Sequence, residues 1–303
     1  VMKFFPPIVT GPIIIAIGLG LAPVAVGSCK ANWTLALTAL VVIGVCNIWG
    51  RGMIRIVPIL IGLVFSYLLA VCLGEVDFSA VKDAAWIGLP VHRAQTVLGV
   101  DFANGARIWS AIIAIVPIAL ATIMEHIGDI SAISSTVGKD FIKDPGLHRT
   151  MAGDGLACML AAFLGGAPVT TYSEVTGAVS LTKVTDPACM RIAAITAILI
   201  SLVGKVGAAI QTIPTAVLGG IMLLLFGSIA SVGINNLVKA KIDMNKTRNP
   251  IIASLILTIG IGGAIISFGK FSLAGIGLAS IVGVILNLII PDKEAAEAEA
   301  KTE

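Results

Sequence analysis

Nine apolar runs follow one another along this chain, and most are as long as a bilayer is thick. They are residues 5–25, 33–49, 54–73, 108–127, 151–164, 188–203, 213–232, 251–267 and 273–290. About 17 to 25 apolar residues cross a hydrocarbon core as a helix. In lipid only structures that satisfy their own backbone hydrogen bonds can span, and an α-helix does so within one segment. The chain is therefore expected to fold as an all-α polytopic membrane protein. Composition agrees: 57% of residues are hydrophobic and 12% charged, against about 25% charged in a soluble domain.

The run at 151–164 is short, and the next apolar stretch is interrupted. Residues 165–183 read GGAPVTTYSEVTGAVSLTK, with two glycines, a proline, a β-branched run and one carboxylate, Glu174. Non-helical backbone at membrane depth is tolerated only where protein encloses it or it lines a cavity, and such a cavity is usually a binding site. Counting this broken segment gives ten crossings, an even number that puts both ends of the chain on one side. Alternating crossings place Arg51, Arg55, Lys139, Lys143, Arg149, Lys183, Lys239, Lys241, Lys246, Arg248 and Lys293 together. The excess of Lys and Arg marks that side as cytoplasmic, within a plasma (inner) membrane. Trp33, Trp49 and Trp109 lie at span ends, the aromatic-belt position. Lys205 is expected to snorkel outward from a helix end.

Several function classes are excluded or left without support. The net charge of +3 comes without a basic, aromatic-interleaved patch, so nucleic acid is not an expected partner. Cys29, Cys46, Cys72, Cys158 and Cys189 are scattered without ligand spacing and read as small buried hydrophobes. No metal or cofactor motif is present. An enzyme is not expected, since the chain has no HExxH and no Ser-His arrangement within the spans. The GK at Gly269 and Lys270 lacks P-loop spacing.

An internal repeat is legible. Pro6, Val9, Gly11 and Ile13 recur as Pro214, Val217, Gly219 and Ile221 at a constant offset, 214 − 6 = 208, and Gly62 and Gly283 head similar later runs. By the loop charges the first run points outward and the second inward. Inverted repeats are characteristic of secondary transporters, with the site at the repeat interface near the midplane. The second copy has roughly a hundred residues ahead of its proline, whereas the first has five. The reading therefore expects a transporter that lacks its first several helices.

The break supplies the chemistry. Gly165 and Gly166 permit unusual backbone angles, Pro168 removes a donor, and Val169 to Thr171 favour extension. A crossing strand over 165–171 should lead into a half-helix from Ser173 to Lys183, whose N-terminal N–H groups face the cavity. Glu174 stands in the first turn. Glu125 and Asp129 are the other intramembrane acids, spaced i, i+4 on one helix face with Gly128 opening room between them. His126 points about 100° away from Glu125 and reads as a packing or supporting residue.

These residues resemble the signature of the nucleobase-ascorbate transporter family: Glu or Gln, Asn, any residue, Gly, four residues, Thr, then Arg or Lys. Glu174, Gly177, Thr182 and Lys183 stand at those positions, and Val175 replaces the usual Asn. MEHIG around Glu125, DPGLHR at 144–149 and FPPIVTGP at 5–12 resemble the uracil permease branch. The resemblance runs to about Asn287. It implies fourteen segments in two inverted repeats that form a core and a gate domain. Residues 1–80 would be gate helices of the first repeat, 81–104 an extracytoplasmic connection, and 105–209 the second half of the core with the broken helix. Residues 210–290 would be the second set of gate helices, with 291–303 a charged cytoplasmic tail. The strand expected to pair with 167–171 would belong to the absent first half of the core.

By the same resemblance Glu125 and Glu174 bind a nucleobase, the Ser173 amide adds a backbone contact and Tyr172 lines the site. Uracil offers two N–H donors and two carbonyls, which two carboxylates and backbone N–H groups can meet. Glu125, assisted by Asp129, would exchange a proton in step with substrate, making a proton symporter of a nucleobase. Val175 leaves xanthine or another purine base as the alternative substrate. An anion transporter of the same architecture ranks lower, since Glu174 would repel an anion. The resemblance also implies a homodimer.

Overall fold

The computed structural model describes residues 6–91, 95–102, 105–268 and 271–290; the side chains of Ser173 and Glu174 lie outside the description. Among the described residues there are fourteen α-helices and one two-stranded hairpin. Two helical stretches are both long and apolar enough to span, Pro7–Cys29 and Thr215–Lys239. Shorter apolar helices, Trp33–Trp49, Pro58–Cys72, Pro187–Ser201, Arg248–Ile261 and Gly275–Ile289, fall in five of the other expected spans.

The chain divides into two compact units. One comprises residues 1–23, 102–125 and 225–303, the other residues 24–101 and 126–224. In the first, α1 (Pro7–Gly20), α13 (Arg248–Ile261) and α14 (Gly275–Ile289) pack around Ile8, Val9, Ile13, Ile252, Ala253, Ile256 and Ala279. Helices this apolar gain little from burial against lipid tails, so small residues that allow close approach set the contacts. A Cβ on Gly11 would sit 2.6 Å from Leu237 Cγ, and one on Gly283 2.6 Å from Ile256 Cδ1. The guanidinium of Arg248 closes the C-terminus of α14, donating to Ile290 O at 2.8 Å and to Asn287 Oδ1 at 2.6 Å.

The hairpin pairs β1 (Ile265–Phe268) antiparallel to β2 (Phe271–Ala274). It replaces the last residues expected of one span and the first of the next. The apolar run continues unbroken through 267, so hydropathy alone could not separate strand from helix, although Ile265 and Ile266 are β-branched.

In the second unit, α2 (Ala22–Cys29) precedes Asn32, whose side chain caps α3 (Trp33–Trp49) by accepting from Thr34 N and Leu35 N. α3 packs on α5 (Pro58–Cys72), where Gly62 leaves room for Ile43. Gly52 at φ 59° precedes the run expected over 54–73 and Pro58 breaks it, so the four-residue α4 (Met53–Ile56) precedes α5. The start of α12 (Thr215–Lys239) lies against the same unit, and a Cβ on Gly219 would meet Cys29 N at 2.7 Å. α10 (Pro187–Ser201) has no buried residue, and Ile192, Ile195 and Leu199 are all exposed. That pattern is untenable in water over a whole helix and ordinary against acyl chains.

Two expectations are corrected here. Lys205, at the start of α11 (Gly204–Gln211), does not snorkel outward. Its ammonium donates to Val81 O at 2.8 Å and Lys82 O at 3.3 Å beside α6 (Ser79–Asp83), and lies 5.2 Å from the Trp86 ring centroid. Carbonyls left over at the end of α6 give the cation a nearer set of acceptors than the bulk. The cysteines also differ from one another: Cys29 and Cys46 are buried, but Cys72 and Cys189 are exposed and Cys158 is half-buried.

Candidate functional site

α7 (Gly105–Val137) is one continuous helix of 33 residues. Glu125 and Asp129 therefore stand one turn apart on it, as their spacing requires. Glu125 is half-buried and Asp129 is buried, with a relative exposure of 9%. A Cβ on Gly128 would meet nothing within 4 Å, so this position leaves open space beside the acids. His126 is buried at 3% exposure. Its Nε2 lies 3.0 Å from Thr150 Oγ1 and its Nδ1 3.6 Å from Asp154 Oδ2, both on α8 (Leu147–Phe163).

The break lies where the sequence places it. α8 ends at Phe163, Gly165 adopts φ 84°, and residues 167–172 are extended before α9 (Ser173–Thr182) begins. A Cβ on Gly165 would meet Gln95 O at 2.6 Å, so glycine is required there by both torsion and space. The expected strand is not formed. A strand needs a hydrogen-bonded neighbour, and among the described residues none pairs with 167–171; the segment is held to α8 by Cys158, whose thiol donates to Val169 O at 2.5 Å. Thus one cysteine expected to be a small buried hydrophobe has a polar contact at the break.

α9 starts at Ser173, as expected, with Tyr172 at the N-cap in an extended conformation (φ −134°, ψ 108°). The Tyr172 side chain makes no capping hydrogen bond to its first turn. Backbone N–H groups at such a terminus have no intrahelical acceptor and carry a partial positive charge. The Glu174 side chain, expected to be the second carboxylate, lies outside the described residues, as does that of Ser173, whose expected contact is through its backbone amide. The far end of the helix explains other residues of the motif. Thr182 Oγ1 donates to Ala178 O at 2.8 Å, and Lys183 adopts a left-handed φ of 57° while its N–H donates to Val179 O at 2.8 Å. Gly177, like Gly128, faces open space.

A polar cavity of about 580 Å³ lies between the C-terminal part of α7 and the end of α9, lined by Ser135, Thr136, Val179, Ser180, Lys183 and Thr185. It places these two helices side by side in the second unit. Asp129, Tyr172, Ser173 and Glu174 belong to that unit, and Glu125 to the first. Asp154 is the residue that reading the sequence passes over. Its signal is present, since a carboxylate inside an apolar run is costly and rarely idle.

A helical protein with a helix start exposed by an extended interruption, and with acids on another apolar helix, has the makings of a membrane transport protein. Comparison with known families gives the class directly. The model described as the Permease family, Xan_ur_permease, matches residues 1–267, so the chain belongs to that family. It is 46% identical over 299 residues to a probable uracil permease of Pasteurella multocida, covering 95% of this chain and 69% of that protein. It is 44% identical over 310 residues to the uracil permease of Bacillus caldolyticus, covering 98% and 70%. The uracil permease of Escherichia coli K12 is 40% identical over 296 residues, covering 94% and 67%.

Proposed function

We propose that this protein imports uracil by proton symport across the bacterial plasma membrane, working as an inverted-repeat transporter of core and gate domains. The observation that carries the reading is the break itself: an extended segment running into the N-terminus of α9, in a chain whose α7 carries Glu125 and Asp129 within an apolar helix. In this reading Glu125 and Glu174 accept the two N–H groups of the base. The Ser173 amide donates to a carbonyl and Tyr172 borders the ring. Glu125, with Asp129 one turn away, takes up the coupled proton. The names of the relatives favour uracil over a purine base.

The repeat gains support from packing. α1 starts at Pro7 and α12 at Thr215, and 215 − 7 = 208 is the offset of the repeated residues. Gly11 and Gly219, related by that offset, are each a point of close helix approach. Gly62 on α5 receives Ile43 of α3, and Gly283 on α14 receives Ile256 of α13, the same glycine-and-isoleucine packing in both copies.

Uptake of labelled uracil into proteoliposomes, with an imposed inward proton gradient and with competing bases, tests the proposal. Accumulation that depends on the gradient and is competed by uracil before xanthine supports it. Transport of an inorganic anion in place of any base would overturn it.

A further inference from the structure

The extended segment 167–172 has no strand beside it among the described residues, so no ladder of hydrogen bonds fixes its course. Its position is set by what touches it and its approach. One support comes from α8, where the Cys158 thiol donates to Val169 O, and a thiol is a weak donor. The other comes from the connection that precedes α7. There the backbone of Gln95 and Thr96 lies against Gly165, since a Cβ on that glycine would stand 2.6 Å from Gln95 O and 3.1 Å from Thr96 N. Backbone packed on backbone yields only if one chain moves.

Thr96 gives this second support its shape. Its side chain is 8% exposed, in a stretch where Gln95, Leu98 and Val100 are all exposed. Its Oγ1 accepts from Leu98 N at 3.3 Å, and its carbonyl accepts from Gly99 N at 2.9 Å. One residue thus holds the single 3-10 turn Val97–Gly99 with both side chain and backbone. Upstream the same connection is fastened again, with Gly88 N donating to Leu202 O at 3.0 Å.

We infer that Thr96 is a positioning residue for the substrate site: it holds the turn that buttresses Gly165, and Gly165 sets where the extended segment and the start of α9 lie. Between Gly165 and Tyr172 the chain has little freedom to absorb a shift. Its peptide units are planar, Pro168 has a fixed φ, and Val169, Thr170 and Thr171 are β-branched. A displacement at Gly165 is therefore passed on to Tyr172 and to the first N–H groups of α9. Misplacement of about 1 Å at a site can cost about a hundredfold, so loosening one turn should cost about tenfold.

The role in binding rests on the transport reading; the buttress itself does not, and two measurements separate them. Thr96→Val keeps the β-branched shape and removes the acceptor for Leu98 N, whereas Thr96→Ser keeps the acceptor. In proteoliposomes Thr96→Val should raise KM for uracil about tenfold with a smaller change in maximal rate, and Thr96→Ser should stay within about threefold of the unchanged protein. The second readout is alkylation of Cys158 by N-ethylmaleimide, followed by mass spectrometry of its peptide. When the segment shifts off α8 the thiol loses Val169 O, so Thr96→Val should speed reaction at Cys158 several-fold and leave the exposed Cys72 and Cys189 unchanged. Thr96→Ser should not. An unchanged KM, a raised KM without the change at Cys158, or equal acceleration at all three cysteines overturns the positioning role. Absence of uracil uptake by the unchanged protein would instead sink the transport reading and leave the alkylation result to decide the buttress.

Discussion

Replacing Lys205 by Met keeps most of the stem and removes the ammonium, and its effect can be worked from the contacts. The ammonium makes one partly buried bond to Val81 O at 2.8 Å and a longer, exposed one to Lys82 O at 3.3 Å. A hydrogen bond from a charged donor contributes about 1.5–3 kcal/mol net, and the exposed contact far less. The cation also lies 5.2 Å from the ring of Trp86, which is 72% exposed, a setting worth about 0.5–1 kcal/mol. Allowing for solvent at the second carbonyl and the ring, about 2 kcal/mol should be lost locally. At about 1.4 kcal/mol per decade that is a roughly 30-fold rise in local opening. The backbone contacts that depend on it are Gly88 N to Leu202 O at 3.0 Å and Gly204 N to Trp86 O at 3.1 Å, around the bridge between Ile87 and Val203. Hydrogen exchange should accelerate by that factor at Gly88 and Gly204 and stay unchanged in α3 and α5, since opening of this kind is local. Unchanged exchange at Gly88 and Gly204, or equal acceleration everywhere, would refute the reasoning.

Other consequences follow from single contacts. Gly219→Leu should lower thermal stability by about 1–3 kcal/mol or more, because its first atom already meets Cys29 N at 2.7 Å; thermal unfolding in detergent checks this. Arg248→Met should cost about 1.5–3 kcal/mol and show as faster exchange over the last turn of α14, which loses its donors to Asn287 and Ile290. The carboxyls of Asp77 and Asp243 are held below the usual carboxylate value, first by the backbone N–H groups of Ser79 and Asn245 and then by those residues' side chains. A lowered folded-state value means that their contribution is complete above the ordinary value of about 3.9 and disappears as pH falls through the folded value. The Ser79 and Asn245 amides should thus stay protected at about pH 5 and lose protection, relative to neighbours, only in stronger acid. Protection already lost at that pH would contradict this.

Much of the helical layout is legible because a bilayer-length apolar run has few alternatives. α3 spans the residues expected of it, Trp33 to Trp49, and α9 starts at the expected Ser173. What hydropathy misses is where a run changes conformation without changing polarity, as at the paired strands 265–268 and 271–274. It also misses partners distant in sequence. Lys205 reads as a lone cation because its acceptors, the carbonyls of Val81 and Lys82, lie more than a hundred residues earlier and leave no mark on composition. His126 reads as a supporting residue from its angle relative to Glu125, but Asp154 and Thr150, which give that support its content, become neighbours only when α8 folds against α7. For the strand at 165–171 the local propensity points to extension, and the segment is extended. Pairing, however, is a property of two segments, and propensity reads one.

The central claim, that Glu125 couples a proton to movement of a nucleobase, is tested most directly by Glu125→Gln in proteoliposomes that report uracil uptake and internal pH together. The account predicts that the unchanged protein concentrates uracil under an inward proton gradient and acidifies the lumen as it does so. The variant should lose both gradient-driven accumulation and uracil-stimulated acidification. Proton-dependent concentration of uracil by the Glu125→Gln variant at a rate near that of the unchanged protein would contradict it.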